Sequence, residues 1–255
     1  MFSAKGKFAW YELMTSDTEA AARFYTDVVG WTTQELPGGE GHPYTTFNIG
    51  NVGMAGMLNL SGHNSWVGYI VVSDVDAHVE KIVEAGGKVF KPATDVPNML
   101  RFAVVSDPQG AAIGIFTPHP AMPSPQRPAP PTPGTIGWHE LYTTDLDAGF
   151  DFYNRLFGWT KVTDMNMGPM GSYRIFDEGD HHQMGDGGMM TRPPHVPVSC
   201  WNFYFSVDSM EPAVDRVKAG GGKVLNGPMQ VPGGSWIING QDPQGAMFCL
   251  VSNKE

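Results

Sequence analysis

The chain has 255 residues, 41% of them hydrophobic, with 16 Lys and Arg against 26 Asp and Glu and a formal charge of −10. That length suits two ordinary domains, and the negative balance argues against a nucleic-acid partner, whose phosphates need a basic surface. No apolar run approaches the roughly 20 residues that cross a bilayer, no signal peptide is visible, and two cysteines make no disulfide framework, so a cytoplasmic protein with a small-molecule ligand and no membrane partner is expected.

Phe8–Met14 reads as a strand. Ser16 then opens a helix as N-cap, with Glu19 completing a capping box. Ala21, Phe24, Tyr25 and Val28 recur on one helical face, and Gly30 stands where a left-handed C-terminal residue belongs. Short strands follow near Thr32–Leu36, Tyr44–Ile49 and Gly53–Leu58. The cycle restarts with a strand at Trp66–Val72 and a helix at Val75–Ala85, with Val75, Val79, Ile82 and Val83 facing inward. Gly86-Gly87 stops that helix before strands near Val89, Phe102–Val105 and Ala111–Phe116. That is βαβββ twice.

The whole pattern then recurs. FAWYELMTSD at Phe8 matches IGWHELYTTD at Ile136, and FYTDVVGW at Phe24 matches FYNRLFGW at Phe152, offset by 128 residues (138 − 10). DPQGA at Asp107 matches DPQGA at Asp242, offset by 135 (242 − 107), so the second copy carries about seven more residues in its middle, where loops tolerate insertion. Its helices bury Phe152, Tyr153 and Leu156, then Met210, Val214 and Val217. Between the copies, HPAMPSPQRPAPPTPG has a proline density that favours an extended linker. The division is 1–118, a linker at 119–134, and 135–255.

A doubled βαβββ unit with FYxxxxGW after its first strand, and a helix ending in GG before a DPQG turn, resembles the glyoxalase/bleomycin-resistance/dioxygenase (vicinal oxygen chelate) superfamily. The tandem form with WxEL in both first strands is similar to a two-domain subgroup that includes a mycobacterial culture-filtrate antigen and hydroxylase-like proteins. The resemblance implies an α+β fold in which each copy forms a cupped, eight-stranded mixed sheet with helices outside and a ligand within. It also implies, in metal-using members, His or Gln on the first strand, His on the fifth and Glu on the eighth. Those positions fall on Trp10, Trp66 and Gly114 in one copy and on Trp138, Trp201 and Cys249 in the other, so the usual divalent-metal ligands are substituted and no cofactor is expected. His139 is set one residue off, on the face of Leu141 under the helix.

Strand alternation then lines each cup. Trp10, Glu12, Met14, Trp66, Gly68 and Gly114 share the first, and Trp138, Glu140, Tyr142, Trp201, Phe203, Met247 and Cys249 the second. A carboxylate among tryptophans is desolvated and suited to a general base, which makes Glu12 and Glu140 the candidate catalytic residues. Three functions compete: a glyoxalase-like or hydroxylase-like enzyme on a small metabolite or electrophile, a binding protein that sequesters a planar or cationic compound, and a metal-dependent enzyme with atypical ligands. A homo-oligomer is compatible with each. DEGDHHQMGD at Asp177–Asp186 has metal-like letters, but it falls in the inserted region, where clustered polar residues form solvated turns.

Overall fold

The computed structural model describes residues 6–37, 43–122, 126–179 and 184–255. Four βαβββ units follow one another. The first is β1 (Phe8–Thr15), α1 (Thr18–Val29), β2 (Thr32–Leu36), β3 (Tyr44–Ile49) and β4 (Val52–Asn59). The second is β5 (Ser65–Val71), α2 (Val75–Glu84), β6 (Lys88–Val96), β7 (Leu100–Ser106) and β8 (Ala112–Pro118). The third is β9 (Ile136–Thr143), α3 (Leu146–Phe157), β10 (Thr160–Asn166), β11 (Ser172–Asp177) and β12 (Gly187–Thr191). The fourth is β13 (Cys200–Ser206), α4 (Met210–Ala219), β14 (Lys223–Gln230), β15 (Trp236–Gln241) and β16 (Met247–Ser252). They make two eight-stranded mixed sheets, ordered β2-β3-β4-β1-β5-β8-β7-β6 and β10-β11-β12-β9-β13-β16-β15-β14.

Three of the four helix starts are set by aspartates, in α1 one residue later than the capping box implies. Asp17, not Ser16, caps α1, its carboxylate accepting from the Ala20 amide, and Asp74 and Asp145 do the same for α2 and α3. Gly30 ends α1 and Gly158 ends α3, at φ 86° and 79°, a backbone region that costs other residues strain. In α2 only Val75 and Ile82 are buried; Val83, expected inward, is 51% exposed.

The compact units of the chain do not follow its two copies. One contains Met1–Ala9, Val67–Ser124 and Trp138–Trp201, and the other contains Trp10–Trp66, Pro125–Gly137 and Asn202–Glu255. Each therefore takes the first half of one copy and the second half of the other.

Each unit has an aromatic core on the helix side of its strands. In the unit holding α1 and α4, the Tyr25 ring stands edge-on to Trp66 at 5.2 Å, with Trp31, Phe47, Phe205 and Phe248 around it. Trp66 Nε1 donates to the Tyr25 hydroxyl (2.8 Å), which donates to Asp242 Oδ2 (3.0 Å). In the unit holding α2 and α3, Tyr153 stands edge-on to Trp201 at 5.2 Å and stacks on Trp159 at 4.9 Å. There Trp201 Nε1 donates to Tyr153 (2.8 Å), which donates to Asp107 Oδ2 (3.1 Å). The aspartates of both DPQG turns are thus hydrogen-bonded to tyrosines of the opposite copy's FYxxxxGW helix.

Candidate functional site

The face of β1 turned away from α1 carries Trp10, Glu12 and Met14, each half-buried, while Tyr11, Leu13 and Thr15 are buried on the other face. β9 repeats the alternation with half-buried Trp138 and Tyr142 and buried Glu140 on one face, against buried His139, Leu141 and Thr143 on the other. The alternation expected for both first strands is therefore present, and it places each tryptophan beside its glutamate.

A tyrosine joins each pair. Trp10 Nε1 donates to the Tyr44 hydroxyl at 3.0 Å, and that hydroxyl donates to Glu12 Oε1 at 3.0 Å. Trp138 Nε1 donates to Tyr173 at 2.9 Å, and Tyr173 donates to Glu140 Oε1 at 3.0 Å. Burial first, and the neighbouring glutamate second, push both phenols well above the ordinary tyrosine range, so each keeps its proton. The direction of each line is fixed by this: indole N–H to phenol oxygen, phenol O–H to carboxylate.

The backbone makes the reach feasible. Tyr44 stands on β3, Glu12 on β1, and β4 runs between them. Gly56 of β4 is the residue opposite Glu12. A Cβ on Gly56 would lie 1.8 Å from the Tyr44 hydroxyl oxygen, so the phenol crosses the strand only because the side chain is missing. In the third βαβββ unit, Gly188 lies opposite Glu140, and a Cβ there would lie 2.1 Å from the Tyr173 ring and hydroxyl. Neither tyrosine was among the residues that alternation selected. The available signal was YTTF at Tyr44 against YRIF at Tyr173, each followed by a glycine in the next strand.

The fifth-strand assignments are corrected by one residue. Trp66 and Trp201 lie in the helix-side cores just described, not on the faces of Glu12 and Glu140, and Gly68 shares the parity of Trp66. Phe203, expected beside a ligand, instead meets Tyr11 edge-on at 5.3 Å on the helix side. The other faces carry Tyr69, whose ring lies over Gly114, and Tyr204, which pairs with Cys249. Both strands are buried on both sides and almost wholly apolar, and Asn202 in β13 is a polar side chain that marks the face opposite its tryptophan. Gly114 and Cys249 keep their expected parity. Cys249 is 1% exposed, and its Sγ accepts from Asn239 Nδ2 at 3.0 Å. Met247, at the start of β16, is 44% exposed.

With this register the implied metal positions become Trp10, Val67 and Gly114, and Trp138, Asn202 and Cys249. Indole, valine and glycine side chains offer a divalent ion no ligand atoms. The first copy's three positions therefore do not fit the metal, while in the second Asn202 and Cys249 carry donor atoms; among the described residues no group of three His, Cys, Asp or Glu side chains comes together. His139 is packed on Phe8 with ring centroids 4.6 Å apart, and burial depresses its pKa to about 3. Asp180–Gln183 of the metal-like stretch lie outside the described residues, and Asp186 Oδ2 accepts from the Glu178 amide. Burial, then Glu140, raises the Cys200 thiol to about 11, which keeps it protonated and a poor nucleophile.

Comparison with known proteins bears on both copies. The sequence model of the Glyoxalase/Bleomycin resistance protein/Dioxygenase superfamily matches residues 7–115 and 135–250. The chain belongs to that superfamily. It is 33% identical over 250 residues to the glyoxylase-named protein CFP32 of Mycobacterium tuberculosis, covering 95% of this chain and 93% of that protein. It is 30% identical over 278 residues to the anthracycline biosynthesis protein DnrV of Streptomyces peucetius, covering 99% and 95%. In fold it is similar to the Mn(II)-bound glyoxalase from Novosphingobium aromaticivorans, with a TM-score of 0.68, 16% identity, and coverage of 99% of this chain and 83% of that one. The 2,3-dioxygenase LapB from Pseudomonas sp. KL28 gives 0.66 and 14%, covering 100% and 94%. Among the described residues, no helix is long and apolar enough to cross a membrane.

Proposed function

We propose that this superfamily member binds a small, planar, oxygenated organic molecule against a Trp–Tyr–Glu line, and that the glutamate of the line that takes it, Glu12 or Glu140, accepts a proton from it. The observation that carries this is the recurrence of the same three side chains, in the same hydrogen-bond order, in both copies. An indole supplies an apolar face for a ring. A carboxylate held by a protonated phenol supplies a fixed proton acceptor beside it. Glu140 is only 6% exposed, which strengthens its interaction with whatever proton donor approaches. The relatives named for glyoxylase activity and for anthracycline biosynthesis support a small oxygenated ligand. On a substrate, the corresponding step is removal of a proton next to a carbonyl group.

The test uses 1,2-dihydroxyanthraquinone, which carries adjacent oxygens and reddens when a hydroxyl ionises. Saturable quenching of tryptophan fluorescence is expected, with a red shift of the bound dye at a mildly acidic pH at which the free dye still keeps both hydroxyl protons. In the Glu12→Gln, Glu140→Gln double variant, quenching persists within about threefold and the red shift disappears, because Gln keeps the shape but accepts no proton. Absence of saturable quenching sinks the binding reading, and a red shift that survives both substitutions sinks the role of the glutamates. Quenching without any shift in the unaltered protein favours the second reading, a sequestering protein of the bleomycin-resistance kind. The phenol already occupying Oε1 of each glutamate is the observation that suits that alternative.

A further inference from the structure

The two lines match in their hydrogen bonds but differ in what covers the indole. Arg127, from the proline-rich segment between the copies, places its guanidinium 5.4 Å from the centroid of Trp10. Its Nε donates to the carbonyl oxygen of Gly53 at 3.2 Å, which ties the segment to β4. Gly53 also meets the indole directly: a Cβ there would lie 3.4 Å from Cη2 of Trp10. Trp10 is thus held between a linker arginine and the backbone of β4. Among the described residues, no cation lies over Trp138. Further along the same face the second copy has Tyr142 where the first has Met14.

A ring face that carries a guanidinium cannot also stack on a ligand. To admit one, the protein would have to give up the cation–π contact and the hydrogen bond to Gly53 together. The guanidinium does not escape by losing its proton, since arginine stays charged in proteins. We propose that Arg127 closes Trp10 to stacking, so that a planar ligand is taken at Trp138 and the chain binds one equivalent instead of two. This rests on the reading of the Trp–Tyr–Glu lines as binding sites. It makes the linker a specificity element of the first copy, beyond a spacer.

Stoichiometric titration with 1,2-dihydroxyanthraquinone, at protein concentrations well above the dissociation constant, separates the cases. One equivalent is expected for the unaltered protein, and Trp138→Phe should weaken it at least tenfold. Arg127→Ala should raise the count to two, and adding Trp10→Phe should return it to one. Arg127→Gln, which keeps much of the stem while removing the charge, serves if the alanine variant does not fold. Two equivalents in the unaltered protein overturn this inference and leave the binding reading standing. One equivalent in both folded Arg127 variants overturns it equally. No binding in any form overturns the binding reading, and this inference with it.

Discussion

Tyr25, Tyr44, Tyr153 and Tyr173 each accept a hydrogen bond from a tryptophan and donate one to a carboxylate. Burial is the largest cause that raises the pKa of all four well above 10, with the carboxylate next. An acid with a raised folded-state pKa stabilises the fold below its unfolded pKa, and that contribution is lost as pH rises beyond it. The unfolded tyrosine value is about 10. An absorbance titration should therefore show at least these four tyrosines ionising only as the protein unfolds, above pH about 10. Smooth ionisation of all eight tyrosines of the chain before loss of circular dichroism would contradict the buried lines. At this scale the sequence was only partly legible: Trp10, Glu12, Trp138 and Glu140 could be selected by alternation, because their strands have one apolar and one mixed face. Tyr44 and Tyr173 could not, because they reach across another strand.

Among the elements, β4 and β12 are the ones that admit the tyrosines. Gly56→Ala and Gly188→Ala should each push one phenol aside, since the new methyl carbon would overlap a side chain rather than backbone. We expect both variants to fold, and the dye affinity to fall at least tenfold in Gly188→Ala. Gly56→Ala should leave it nearly unchanged while Arg127 is present. Dye titration together with thermal unfolding tests this pair; a Gly188→Ala protein with intact affinity would show that Tyr173 is dispensable. Most elements were readable in the sequence, since helix faces, left-handed glycines and turn residues are local signals. The faces of β5 and β13 were not. WVGYIV and WNFYF are buried on both sides, and hydrophobicity then carries no direction in the first and only the single signal of Asn202 in the second.

For the molecule as a whole, the unexpected feature is the exchange of halves. Tyr25 belongs to the first copy and Asp242 to the second, yet they share one core. Removing the phenol oxygen leaves a buried indole N–H and a carboxylate without that partner, at a cost of about 1–3 kcal/mol. Tyr25→Phe and Asp242→Asn should therefore couple by about 0.5–3 kcal/mol in a double-mutant cycle read by urea unfolding. Simple additivity would mean that the bond contributes nothing to the unit. By itself the sequence determined the fourfold βαβββ order, the tandem repeat and one Trp–Glu pair per copy, because periodicity and self-similarity are properties of neighbours along the chain. Tertiary structure alone decided which halves share a core, which face of a doubly buried strand holds its tryptophan, and that a tyrosine completes each pair, because those depend on contacts between residues far apart in the chain.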